Sequence, residues 1–179
     1  LFPDLIGSRI QESACNGVRK HKTLQAEAAA PIVYTQPVWN RRGKLPRIVV
    51  VGAGPAGLFA ALVLARAGLC PLLVEQGDPV EERKKKVEAF WTGGPLNPFS
   101  NVQCGEGGAG TFSDGKLSTG IRDREGRIGF VLETFVGAGA PPEILYEAKP
   151  HIGTDKLFTT VQGLRKEILR AGGRIRFGL

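Results

Sequence analysis

In Ile48-Val49-Val50-Val51-Gly52-Ala53-Gly54-Pro55-Ala56-Gly57, a run of β-branched residues passes straight into Gly-x-Gly-x-x-Gly. Such a run suits a strand buried on both faces of a parallel sheet. The residues that follow, Leu58 to Ala67, read as a helix. Each glycine then has a separate task. Gly52 permits the tight turn out of the strand. Gly54 lacks a Cβ, so a diphosphate can approach the backbone, and Gly57 lets helix and strand pack closely. The helix N-terminus adds free N–H groups and a partial positive charge, both suited to phosphate.

Working outward, Gly68 ends the helix and Pro71-Leu72-Leu73-Val74 reads as a second strand. It ends on Glu75, 23 residues after Gly52, near the spacing of about 20 at which an acid meets a ribose. A carboxylate there accepts hydrogen bonds from the 2′- and 3′-hydroxyls and repels a 2′-phosphate. The unit is a dinucleotide-binding βαβ start. The competing reading is an ordinary buried βαβ unit with incidental glycines.

Composition narrows the class. The chain has 179 residues, 42% hydrophobic and 23% charged, which suits a globular domain with a substantial core. Its 25 glycines gather in loops, as in a protein that wraps backbone around a ligand. The net charge of +7 comes in short runs, Arg19 to Lys22, Arg41 to Lys44 and Arg83 to Lys86. No aromatic side chains interleave them as a base-stacking surface requires. A wet face, or help in holding an anionic cofactor, fits better than nucleic acid. Cys15, Cys70 and Cys104 lie far apart, so neither a zinc site nor a disulfide framework is indicated and no metal is expected. No long apolar run or signal-peptide pattern occurs, so no membrane span is expected and a cytoplasmic location is. Methionine is absent, and the chain stops in a strand at Arg174 to Leu179. We expect a fragment, with a missing C-terminal part of the same protein as its partner.

Residues 1–46 read as an N-terminal extension or linker. Helices are suggested near Leu5 to Ile10 and Ala26 to Ala30, and a strand at Pro31 to Thr35. Residues 47–179 form the domain, with 76–150 as a long insertion after the second strand. Past Glu75, Asp78 as N-cap, Pro79 and Glu81 make a helix start. Val80, Val87, Phe90 and Trp91 supply its apolar side, Gly93-Gly94 stop it, and Arg83 with the neighbouring lysines reads as a wet face.

The second informative stretch is Asn101 to Leu117, with five glycines between 105 and 115. It is too glycine-rich for a helix or strand interior. Its N–H groups can form an anion-binding nest or lie beneath a planar ring; the plainer reading is a linker. Further on, Arg127 to Val136 reads as a helix and Ile144 to Tyr146 as a short strand. Thr154 reads as the N-cap of a last helix with the stripe Leu157, Val161, Leu164 and Ile168. Arg174 to Phe177 starts a third strand. The fold expected is α/β, a Rossmann-like three-layer domain with a parallel sheet in the order 3-2-1, incomplete. His151 reads as structural.

The segments VVVGAGPAGLFAALVLARAGLCPLLVEQG and NVQCGEGGAGTFSDGKLSTG together resemble the two-dinucleotide-binding-domain flavoproteins related to glutathione reductase and p-hydroxybenzoate hydroxylase. Within them, the chain resembles FAD-dependent dehydrogenases with an N-terminal extension, over about Pro46 to Leu179. The resemblance implies an oxidoreductase with FAD as cofactor. Gly52, Ala53, Gly54, Pro55, Ala56 and Gly57 match the diphosphate loop, and Glu75 and Gln76 the adenosine-ribose position. Gly107, Gly108, Ala109, Gly110 and Thr111 match a second loop that runs past the diphosphate and flavin. Lys116 is a candidate for the flavin edge, and Cys104 stands where an aromatic or other apolar residue is expected. A small-molecule substrate and NAD(P)H are the implied partners; catalytic residues are not identifiable. The alternatives are an FAD-binding protein of the tRNA-modifying type and a non-catalytic truncated remnant.

Overall fold

The computed structural model describes residues 33–35 and 47–179. The helices expected near 5–10 and 26–30, and the linker before 47, lie outside them. At 33–35 the expected strand is not formed; the Tyr34 ring instead packs 4.8 Å from that of Phe130.

Three strands make one parallel sheet: β1 (Val49–Val51), β2 (Leu72–Glu75) and β3 (Arg174–Phe177). The order is β1-β2-β3, the expected 3-2-1 seen from the other side. Val50 lies opposite Leu73, and Leu73 opposite Ile175. These three point to one face, because side chains alternate along a strand. That face is covered by α1 (Pro55–Arg66) and α4 (Thr154–Arg170), which place Leu58, Leu62, Leu164 and Ile168 in the core with Leu73. The expectation that the β1 run is buried on both faces is corrected. Val49 is 54% and Val51 83% exposed, because β1 is an edge strand among the described residues and its odd positions face away from α1 and α4.

The insertion holds α2 (Val80–Trp91), a 3₁₀ turn at Ala109–Phe112, α3 (Arg127–Gly137) and a second 3₁₀ turn at Pro142–Leu145. The second turn replaces the strand expected at 144–146. Pro142 at its first position presets a helical φ and removes a strand donor. The α4 stripe Leu157, Val161, Leu164 and Ile168 is buried as expected. Its cap is Gly153, with φ +83°, and not Thr154. The Thr154 hydroxyl donates instead to the Ser113 carbonyl at 2.9 Å, so it ties the helix start to the second glycine loop.

The start of α2 also differs from expectation. Asp78 does not cap it; Pro79 occupies the cap position and no side chain there bonds the first turn. The Asp78 carboxylate pairs with Lys86 at 2.5 Å. The buried face of α2 is Val80, Arg83 and Val87, while Phe90 and Trp91, expected on the apolar side, are 39% and 61% exposed.

Candidate cofactor site

The turn from β1 into α1 is built as its glycines suggest, for different reasons at each. Gly52 has φ +93° and closes the turn by donating to the Val74 carbonyl at 2.8 Å. A Cβ on Gly57 would stand 1.9 Å from the Gly52 carbonyl oxygen, so the fold itself forbids a side chain there. Gly54 is the contrast. Its φ is −69°, which any residue adopts, and a Cβ there would meet nothing within 4 Å. Packing does not demand this glycine; open space in front of it is what the missing side chain preserves. It sits at the N-cap of α1, which has no side-chain cap and no acid in its first turn. No side chain of the helix itself compensates its positive end, which faces a clear approach.

Glu75, at the end of β2, is buried. One carboxylate oxygen accepts the Ala53 N–H at 2.6 Å, the other the Gly77 N–H at 2.9 Å. The acid therefore holds the glycine turn, and each oxygen retains a second lone pair for a hydroxyl. Gln76 is exposed and borders a cavity of about 410 Å³ with Asp78, Lys86 and Phe99.

The second glycine loop lies directly against the first. The Gly107 N–H donates to the Ala53 carbonyl at 2.8 Å. A Cβ on Gly108 would stand 3.2 Å from Pro55 and 3.4 Å from Gly54. Ala109 and Gly110 are exposed beside this contact, and Thr111 is buried below it. The structure thus brings Gly52 to Gly57, Glu75 and Gly107 to Thr111 together. Lys116 forms an antiparallel bridge with His151, and its ammonium pairs with Asp114 at 2.8 Å.

Arg83, expected on a wet face, is fully buried. Its guanidinium donates to the carbonyls of Asn101 (2.8 Å), Val102 (2.9 Å), Glu106 (2.7 Å) and Gly108 (2.8 Å). The second loop is folded around this one side chain. Burial lowers the Arg83 pKa to about 10, against the raising effect of Glu75, Cys104 and Glu106, so it keeps its charge at neutral pH. Glu106, also fully buried, accepts the Val80 N–H at 2.8 Å and Arg165 at 2.9 Å. It caps α2 from 26 residues downstream. The signal for Arg83 was its place between Val80 and Val87; nothing local marks Glu106.

Residues 47–107 match the family described as the FAD binding domain. A protein of Clostridium beijerinckii, described only as uncharacterized, is 56% identical over 131 residues, 73% of this chain. The chain spans about a quarter of that relative's length (24%). Among solved structures, the chain is similar to CabE, an aromatic hydroxylase from angucycline biosynthesis, at 19% identity and a TM-score of 0.32, over 74% of this chain and 23% of that one. Among the described residues, no helix is long and apolar enough to cross a membrane.

Proposed function

We propose, from the premise that this chain carries part of an FAD binding domain of the FAD-dependent oxidoreductases and that FAD is its cofactor, that its two glycine loops jointly hold the diphosphate of FAD. Gly52 to Gly57 with the start of α1 form one side of this seat, and Gly107 to Thr111 the other. Glu75 holds the adenosine ribose while anchoring the turn, with Gln76 beside it. The observation that carries this reading is Gly54. No part of the described protein needs a glycine there, the space before it is open, and an uncapped helix end stands behind it.

When bound, FAD supplies the hydride- and electron-transfer chemistry, and the protein contributes binding and electrostatics. The residues of this chain hold the diphosphate end. A small-molecule substrate and NAD(P)H are the partners this reading implies for the whole protein, and redox turnover is its activity.

The test is Gly54→Val in the full-length protein. The side chain meets no protein atom within 4 Å at its first carbon, so the fold is expected to survive. Far-ultraviolet circular dichroism is expected to match the wild type while flavin absorbance is lost. A folded variant that keeps stoichiometric FAD would remove the first loop from the diphosphate.

A further inference from the structure

By sequence, Tyr34 falls in an extension ahead of the domain. The structure gives its ring a place in the packing. Val33 is 76% exposed and Thr35 is exposed as well, while Tyr34 is half-buried. Its ring meets that of Phe130 on α3 at a centroid distance of 4.8 Å, tilted by 47°. Phe130 in turn stands edge-on to Phe59 of α1 at 6.2 Å, and Phe59 edge-on to Phe135 at 5.3 Å. At such separations aromatic rings attract one another beyond the area they bury. The row Tyr34–Phe130–Phe59–Phe135 therefore runs from the segment ahead of β1 to the main core, against which Phe59 and Phe135 pack. Tyr34 also falls within the compact unit Pro31–Leu179.

The helix α3 is short of cover. It carries Ile128, Phe130, Val131, Leu132, Phe135 and Val136, yet Thr134 is its one buried residue. Its first turn is held by the Asp123 carboxylate, which accepts the N–H groups of Arg127 and Ile128 at 3.0 and 2.7 Å. Leu132, Phe135 and Val136 pack beside Ile144 and Leu157. Phe130 takes part in neither attachment; its ring neighbours are Tyr34 and Phe59. A helix with six apolar side chains and none of them buried gains from each further ring laid on it.

We infer that the segment at Tyr34 is a strap of this domain: Tyr34 lies on α3, holds it through Phe130, and so backs α1, which carries Phe59. The folding unit accordingly includes Tyr34 and does not begin at β1. The strap works by packing, and does so with or without FAD.

The experiment is amide hydrogen exchange, read by mass spectrometry over 127–137. It is run on the full-length protein and on Tyr34→Ala, Tyr34→Phe, Phe130→Ala and the double variant Tyr34→Ala/Phe130→Ala. Exchange in α3 reports its local opening. In Tyr34→Ala it is expected to rise about two- to tenfold, the factor to which the loss of one aromatic pair corresponds. Exchange over 154–170, in α4, is expected to stay at the wild-type rate. Tyr34→Phe keeps the ring and is expected to match wild type. In the Phe130→Ala background the loss of Tyr34 is expected to add little, since the two rings no longer meet. Wild-type exchange over 127–137 in Tyr34→Ala overturns the strap. A full-sized effect of Tyr34→Ala in the Phe130→Ala background overturns it too. Should Phe130→Ala fail to fold, the two variants at Tyr34 decide: exchange that does not rise in Tyr34→Ala, or rises as much in Tyr34→Phe, overturns the proposal. None of these readings depends on flavin content, so the cofactor assignment stands or falls separately.

Discussion

Arg83 and Glu106 fasten each other's main chain. The Glu106 carboxylate closes the first turn of α2 at Val80, and Arg83, one turn further along that helix, donates to the Glu106 carbonyl. Neither the helix start nor the glycine loop is complete without the other. The loop in front of the cofactor seat is thus held by an internal framework, with Arg83 at its centre.

Arg83→Ala removes the donor shared by the carbonyls of Asn101, Val102, Glu106 and Gly108. Leaving buried acceptors unpaired costs about 1–3 kcal/mol each, without simple additivity. A total loss of about 3–5 kcal/mol is expected, the range for breaking a buried charged network, measured from the denaturant midpoint of the full-length protein. Arg83→Lys is expected to recover little, because one ammonium cannot replace a planar fork of five donors. Wild-type stability in the lysine variant would show that charge alone holds the loop.

Gly57→Ala and Gly54→Ala should separate fold from ligand. A Cβ at Gly57 collides with backbone, while one at Gly54 meets only open space. The first variant is expected to unfold or lose cooperativity in circular dichroism melts. The second is expected to melt like wild type and to bind FAD more weakly. Equal melting temperatures for both would mean that the turn can open at no cost.

For Glu75→Ala we expect FAD binding to weaken by about 1–3 kcal/mol, the range for losing hydrogen bonds to a charged group. FMN, which lacks the adenosine ribose, should lose less. The residual FMN loss reports the Ala53 N–H, which Glu75 also anchors. Equal losses in fluorescence titrations would leave Glu75 as an anchor of the turn and take it off the ribose.

The pH dependence of stability has a definite sign at Glu106. Its folded pKa is raised by burial to about 7, from 4.5. The folded state then binds more protons than the unfolded one between those values. The contribution of Glu106 to stability is present below the lower value and is lost as pH rises through the upper one. Glu106→Gln should flatten that part of the profile and equal or exceed wild type in stability near pH 8. Urea midpoints across the range test this; a profile unchanged by the substitution would mean that Glu106 titrates normally.

Much of this was legible in advance where the signal is local. The Val49 to Val51 run, the glycine spacing and the stripe from Leu157 to Ile168 each follow from periodicity within a few residues, and the parallel sheet followed from their alternation. The misreadings at Thr154 and Arg83, and the missed role of Glu106, share a cause: each needed a partner distant in the chain. Asp78 and Thr154 have the chemistry of caps, but Lys86 and Ser113 claim their side chains. Arg83 looked solvated beside Lys84, Lys85 and Lys86. Its spacing from Val80 and Val87 was visible, but the carbonyls that make its burial tolerable lie 18 to 25 residues on. Glu106 was hidden among glycines, and Arg165, its cation, is 59 residues away.

The wiring of Arg83 bears on protein engineering. A glycine-rich loop that curls over a ligand looks like a cassette, something to be moved by sequence into another scaffold. This one is not portable on its own. Transplanting 101–115 would carry the four carbonyls and the carboxylate and leave behind the guanidinium, the Val80 N–H and Arg165 that satisfy them. The smallest transferable unit therefore includes α2 and the middle of α4, which is most of the domain.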